Sequence, residues 1–369
     1  MSKAAELAKM GEVLTNSQIG GRRNMVINGA MQIAQRGTSG FTTNATYTLD
    51  RYKVFCPAAS FTLSQSTTAP TDFYHSLKIE NTSAATPSAG NGGNIFTTLE
   101  GNSVSQLNWG TSNAKTATLS FYVRANNTGT YCVNLENADG TIGTGSHSFV
   151  AEYTINSANT WEEKKIVIPG PTVGTWTTDT SLGIVIGWTL EVGSNFETST
   201  TDAWQSGLKR QTSNQVNWQQ TASANFHLTG VQFEIGKTTP FEHRSFGEEL
   251  ALCQRYYYER CGSGTALGVD PYHWVMNGIA YNTTLGLGGL AFPVNMRATP
   301  TLGYSAVGHF QKNSAGRGDA VTAINLYDGT ENATTTTAYI QFNSSNSTAG
   351  GAYMQTTNAS ARLNFDAEL

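Results

Sequence analysis

Carboxylates on or beside predicted strands are the first residues that could do chemistry: Asp50, Glu80, Glu100, Glu152, Glu191, Glu234 and Glu242. Glycoside hydrolysis needs two such groups about 5 to 9.5 Å apart across the scissile bond. Most of these residues should alternate outward or stand at strand ends, and spacing pairs no two of them. Solvated or arginine-paired carboxylates are the expectation. A serine hydrolase has less support, since no GxSxG elbow occurs and six histidines are scattered at 75, 147, 227, 243, 273 and 309. No catalytic residue is assigned, and a non-enzymatic chain is expected.

Metal and redox chemistry are equally thin. Cys56, Cys132, Cys253 and Cys261 lie far apart, with no CxxC pair and no histidine at zinc-ligand spacing, which predicts free, mostly buried thiols. No cofactor and no metal ligand is assigned. A structural calcium ion, held by carboxylate and carbonyl oxygens, is the one ion left open, although no DxDxDG-type loop occurs.

Aromatic side chains offer more. The apolar face of a pyranose stacks on such rings while nearby polar groups bind its hydroxyls, and the chain carries 7 Trp and 15 Tyr. Trp161, Trp176 and Trp188 fall in or beside regular strand patterns and read as core or staple residues. Trp204 and Trp218 flank polar segments and read as surface candidates. In DPYHWVMNGIAY, Tyr272 and Trp274 stand two apart on one strand face, with His273 on the other. Tyr272, Trp274, Trp204 and Trp218 are therefore the glycan-binding candidates. The polar stretches 309–320 and 325–337 are expected to be loops able to carry recognition. The RGD at 317–319 is treated as a three-residue coincidence.

These residues need a scaffold, and composition points to an all-β one. Charged residues are only 13%, Gly is abundant at 38, and hydrophobic residues reach 38%; the chain should fold, with many turns. At 369 residues it is long enough for two domains. Residues 1–23 hold one helix, with Ala4, Leu7, Met10 and Leu14 on a single stripe, read as an attachment segment. Residues 24–246 alternate apolar and polar, as in TATLSFYV and FHLTGVQFEI, and predict a large jelly-roll sandwich. Further strands are expected at 47–55, 60–65, 74–80, 129–136, 149–155, 163–168 and 182–192, with 196–207 as a surface loop. Residues 261–369 contain about seven short strands, enough for a small second sandwich and a receptor-binding tip.

Between the two lies EELALCQRYYYER, residues 247–260 in the domain division. Leu250, Cys253 and Tyr257 share one helical face, and Glu248 and Glu249 suit the positive first turn. A helix over 248–255 should pass directly into a strand at 256–260, giving a stiff junction with Leu250, Cys253 and Tyr257 buried against a neighbour.

Charge and hydropathy exclude some partners. A net charge of -4 and no basic run beyond Arg22-Arg23 or Lys164-Lys165 argue against nucleic acid. No secretory-type apolar core and no run of about 18 apolar residues is present, so neither secretion by that route nor membrane insertion is expected. No repeat with a period of about 20 to 50 residues occurs.

Several segments together resemble the tail-fibre and related virion structural proteins of tailed bacteriophages, especially the cyanophage type. They are GGRRNMVINGAMQIAQRGTS (20–39), YTLDRY (47–52), TLSFYVRA (118–125), NTWEEKKIVIPGPTVGTW (159–176), LTGVQFEIGKTTPFEHRSFGEELALCQRYYYER (228–260), FPVNMRATPTL (292–302) and DAEL at the end. The linked run TPFEHRSFGEELALCQRYYYE is the most specific. The resemblance implies a virion protein made in the host cytoplasm, with a carbohydrate-binding-like jelly roll and a distal β-domain, usually a homotrimer. It further implies contacts with other tail or virion proteins and with a bacterial surface polysaccharide. A purely structural collar, neck or capsid-attached fibre and a polysaccharide-degrading fibre are the alternatives.

Overall fold

The computed structural model describes Lys3 and residues 23–138, 142–143, 146–261, 274–314, 317–327, 333–344, 350–358 and 360–369. The expected N-terminal helix therefore lies outside the described residues, apart from Lys3. The first domain is a sandwich of two antiparallel sheets. Its strands are β1 (Thr46–Tyr47), β2 (Tyr52–Phe55), β3 (Ser60–Ser66), β4 (Ser76–Ser83), β5 (Gly92–Glu100), β6 (Ala117–Ala125), β7 (Gly129–Asn137), β8 (His147–Ile155), β9 (Glu162–Ile168), β10 (Leu182–Val192), β11 (Trp204–Ser206) and β12 (Asn225–Ile235). One sheet runs β1-β2-β5-β10-β7-β8-β11, the other β3-β4-β12-β6-β9, and the chain crosses between them repeatedly, as a jelly roll does.

Period-two alternation sets the inner faces. Ala117, Leu119, Phe121, Val123 and Ala125 of β6 enter the core with Phe226, Leu228, Val231 and Phe233 of β12. In β12 the alternation survives only because the pairing with β6 shifts register between Thr229 and Gln232. This bulge, at Gly230-Val231, restores the inward set after the break that LTGVQ shows in sequence.

Two departures from the expected strands have clear causes. Residues 92–100 show no alternation, yet form β5, buried on both faces. Its outer side is covered by a second cluster of Phe96, Ala138, Leu182 and Val185, with Leu369 packed on it. Residues 47–55 are not one strand: the backbone turns at Leu49–Arg51, with Arg51 at φ 69 and Tyr52 N donating to Leu49 O at 2.9 Å. The turn buries Asp50 and Arg51, which a continuous strand would have put on opposite faces. Asp50, Glu100, Glu191 and Glu234 are likewise buried instead of facing outward, each with hydrogen-bond partners.

The distal region is a barrel where a small sandwich was expected. A three-stranded sheet, β13 (Tyr257–Cys261), β21 (Leu363–Asp366) and β16 (Thr301–Tyr304), leads to six strands closed on themselves. These are β14 (Trp274–Ala280), β15 (Leu285–Ala291), β19 (Thr337–Ser344), β18 (Arg317–Leu326), β17 (Phe310–Ser314) and β20 (Gly350–Thr356), in that order around the barrel. Closure removes the exposed edges that a small sandwich would leave. It also demands tight packing: a Cβ on Gly286 would stand 2.3 Å from the Phe342 ring, and one on Gly278 only 2.0 Å from Leu287 O. The polar stretch 309–320, expected as a loop, supplies β17 and the start of β18. The tip of 325–337 lies outside the described residues.

Helix α1 (Phe246–Gln254) joins the domains, capped by Ser245, whose Oγ accepts from Glu248 N at 3.3 Å. Cys253 and Tyr257 are buried and Leu250 half-buried. The three tyrosines divide their work. Arg51 stacks 3.4 Å over Tyr256 and Arg36 3.6 Å over Tyr257, while Tyr258 stacks on Phe365. Arg255 forks onto Glu100 at 2.8 and 2.9 Å. Glu368, just beyond β21, ion-pairs Arg51 and lies 3.3 Å from Arg36, with only 4% of its side chain exposed. Burial pushes its carboxyl up, against the pull of both arginines.

Removing one partner of such a pair leaves an uncompensated buried charge. Glu368→Gln is expected to lower unfolding free energy by about 3 kcal/mol, and Arg51→Met/Glu368→Leu to cost less than the two single changes added together; urea titration of all variants checks this. A second expectation concerns His227, on the outer face of β12. Burial, then Arg124 and Lys78, holds its imidazole neutral, pushed down to about 3. The unfolded histidine takes up a proton near pH 6.5 that the folded one refuses, so this contribution is complete above pH 6.5 and is lost as pH falls toward 3. Between pH 7.5 and 4.5 the wild type should lose roughly 2 kcal/mol more than His227→Gln.

Candidate functional site

A groove of about 800 Å³ lies on the outer face of the five-stranded sheet. That lies within the range of roughly 300 to 1,000 Å³ typical of small-molecule sites. Ser120 and Tyr122 of β6 and Gly230 of β12 form its floor, and Glu163 of β9 stands on one rim. Two loops make the walls: Thr71–Tyr74, before β4, and Thr239–His243, after β12.

Alternation explains the floor. Leu119, Phe121 and Val123 point into the core, so Ser120 and Tyr122 must point out. The bulge then brings the backbone of Gly230 up beneath the rings. Gly230 has φ +62, and a Cβ there would stand 2.8 Å from both the Phe73 and the Tyr122 ring, so the position requires glycine on two counts.

Each wall is pinned by polar contacts. Ser76 Oγ donates to Thr68 O at 2.7 Å, Thr229 Oγ1 donates to His75 O at 2.8 Å, and Phe73 N closes a turn onto Pro70 O at 3.2 Å. On the other side Glu234, buried in β12, accepts from Thr239 N at 2.8 Å and Thr239 Oγ1 at 2.7 Å. Gln232 Oε1 accepts from Glu242 N at 2.8 Å, and Glu242 Oε2 in turn accepts from the amides of Arg23 and Asn24.

The result is an aromatic cluster open to solvent. Phe73 lies 5.5 Å from Tyr122, 5.0 Å from Phe241 and 5.2 Å from His243, and Phe241 lies 4.8 Å from His243. Tyr74 is 79% exposed beside them. Asp72, Glu163, Thr71 and Thr239 supply polar groups around the rings. Burial, then the charge of Glu163, with Asp72 a smaller contributor, pushes the Tyr122 hydroxyl up and keeps it a hydrogen-bond donor. Such a surface can stack a flat apolar face and bind hydroxyl groups around it. It is poorly arranged for hydrolysis: Asp72 and Glu163 are both exposed, and Glu163 is paired with Lys165 at 3.0 Å, whereas a general acid at neutral pH needs a desolvated carboxyl.

The residues expected to bind glycan fall elsewhere. Trp218 is fully buried in the sandwich core, a correction: its polar neighbours mark a turn, but the indole points inward. Trp204 is on edge strand β11, not in a loop, and is half-buried. It meets Trp109 and Trp176 at 5.3 Å each, and all three indole N–H groups donate to backbone carbonyls, so the triad closes one end of the sandwich. Trp188 is core, and Trp161 sets its ring against His227. Tyr272 and His273 lie outside the described residues. Trp274 is 59% exposed on the barrel, stacked on Tyr353 at 4.6 Å. Leu250, Cys253 and Tyr257 belong to the junction and do not line the groove.

Of the groove's aromatic residues, Tyr74 was expected to open a strand at 74–80 and His243 was one of six scattered histidines, while Phe73 and Phe241 carried no signal in the sequence. One signal was available: a lone Gly in the strand LTGVQFEI marks a bulge or a close approach of another group.

Among the described residues, no group of three His, Cys, Asp or Glu side chains gathers as a metal site, and no helix is long and apolar enough to cross a membrane. Cys56, Cys132 and Cys253 are free and buried, with burial pushing Cys56 up to about 12 and Cys132 up to about 11. These are inert thiols.

No protein-family model matches the chain, and no curated protein matches it. Among solved structures, it is similar to an enzymatically active domain of a tailspike protein of bacteriophage CBA120, at 14% identity and TM-score 0.31, over 58% of this chain and 21% of that one. A putative sugar-binding protein of Bacteroides thetaiotaomicron aligns at 10% identity and TM-score 0.34, over 58% of this chain and 100% of its own. A CBM22 xylan-binding domain of Paenibacillus barcinonensis aligns at 14% identity and TM-score 0.30, over 50% and 92%. At such scores these likenesses say nothing about what this chain binds, and its fold rests on the sheet pairing described above.

Proposed function

We propose that the chain is a non-enzymatic, glycan-binding structural protein of a bacteriophage tail fibre, assembled as a homotrimer and contacting a polysaccharide on the bacterial surface. The single observation that carries glycan binding is the open aromatic groove of Phe73, Tyr74, Tyr122, Phe241 and His243, ringed by carboxylate and hydroxyl groups. The virion setting rests on the sequence resemblance, carried above all by TPFEHRSFGEELALCQRYYYE. Three copies of one shallow groove would add avidity without a tight pocket.

A second reading, a virion part that binds only other proteins, is favoured by one observation. Trp274, Ile279 and Tyr281 expose apolar surface along and just beyond β14, 59%, 50% and 64% respectively. Such a stripe suits contact with a neighbouring chain.

Phe73→Ala should abolish binding of the purified protein to host cells or to a glycan array while lowering stability only modestly, by about 1 kcal/mol, because the ring is half-buried outside the core. Gly230→Val should do the same at greater cost in stability, since its φ and its contacts both forbid a side chain. Retention in virions with no glycan or cell binding by the wild type would instead select the second reading. Light scattering at micromolar concentration should give a trimer mass; a monomer mass would remove that part of the proposal.

A further inference from the structure

We infer that the groove selects uncharged glycans, built of neutral hexose or N-acetylhexosamine units, and rejects anionic ones carrying uronate, sulfate or phosphate groups. This rests on the glycan-binding reading above and concerns which glycans the same site accepts. The rings and the cavity make the site; the charges around it decide its selectivity.

The carboxylates at or behind the groove are Asp72, Glu163, Glu234 and Glu242, the last accepting from the amides of Arg23 and Asn24. Asp72 stands on one wall and Glu163 on the rim opposite, both lining the cavity and both exposed. Glu234 lies behind the other wall, held to Thr239. Asp72 takes a left-handed backbone, at φ 71. Lys165 is tied to Glu163 at 3.0 Å. Among the described residues, no arginine or lysine lines the cavity. That is the reverse of an anion site, in which arginine forks or lysine amines meet the charge.

A second observation joins the two carboxylates at one point. The Tyr122 hydroxyl, on the groove floor, feels the negative charge of both Glu163 and Asp72, with Lys165 opposing them. A sugar stacked over Tyr122 would place its ring substituents in that field. A hydroxyl or acetamido group can donate to a carboxylate there, whereas a second anion can only be repelled. Two unit repulsions at roughly 5 Å in a water-exposed groove amount to about tenfold in affinity at low salt, and salt should screen most of it.

The test is a glycan array holding neutral hexose and N-acetylhexosamine oligosaccharides beside oligogalacturonates and sulfated oligosaccharides of matched length, read with the full chain at 20 mM and 500 mM NaCl. The wild type is expected to bind only neutral glycans at low salt. Asp72→Asn/Glu163→Gln is expected to gain anionic glycans by about tenfold at low salt, a gain that shrinks at high salt; loss of stability alone could not produce a gain. Wild-type binding to anionic glycans as strong as to neutral ones would overturn the selectivity and leave the glycan-binding groove intact. Binding to nothing on the array, by wild type and variant alike, would overturn the glycan-binding reading beneath it.

Discussion

The interaction on which the rest of this structure depends is the buried pairing of Arg51 with Glu368. One residue comes from a tight turn near the start of the sandwich, the other from next to the chain's final position, and neither exposes more than 4% of its side chain. A buried charge needs partners, and here both terminal guanidinium nitrogens of Arg51 have them, while its Nε has none. Arg51 also donates to Thr98 O and Oγ1 at 2.8 Å and stacks on Tyr256. Arg297 donates to the carbonyls of Ala367 and Glu368, which fixes the approach of the final residues. Any shift of one domain against the other would strip these groups of partners, so the pairing acts on geometry more than on net stability.

A polar layer extends from that point along the seam. Asp50 accepts from Gln35 N and Nε2, and Gln35 Nε2 also donates to Tyr257 O. Asn28 donates its amide to Glu249 at 2.6 Å, and Arg244 donates to Val26 O and Glu249. Residues from 23–39, 47–52, 228–260 and 292–302, parts of four of the segments that carried the sequence resemblance, meet here. Once water is excluded, such a layer holds only while most of its donors and acceptors are paired.

The segment 228–260 serves both ends of the sandwich. Its first half makes the bulge and the pinned wall of the aromatic groove; its second half makes the capped helix and the tyrosines of the seam. Glu242 links them, since its backbone amide holds the groove loop through Gln232 while its carboxylate accepts from Arg23 and Asn24. Groove and seam are distinct regions built on one stretch of chain.

Sequence alone determined what local periodicity encodes. Alternation in TATLSFYV and FHLTGVQFEI dictated which residues of β6 and β12 are core, and the acidic first turn before LALCQR dictated a helix ending in a strand. Where burial is two-sided, as in β5, alternation vanishes and the strand was not legible. Composition could not distinguish a closed barrel from a small sandwich, because closure is decided by how strands meet across the sequence, through glycines such as Gly278 and Gly286. Aromatic residues were plentiful in the sequence, but it did not show which of them would gather in a groove. Trp218 was expected at the surface and is core; Phe73 and Phe241 carried no signal in the sequence and meet in a groove. They are 168 positions apart, and only the tertiary structure, through a bulge at Gly230 that lets backbone and rings approach, brings them within 5.0 Å.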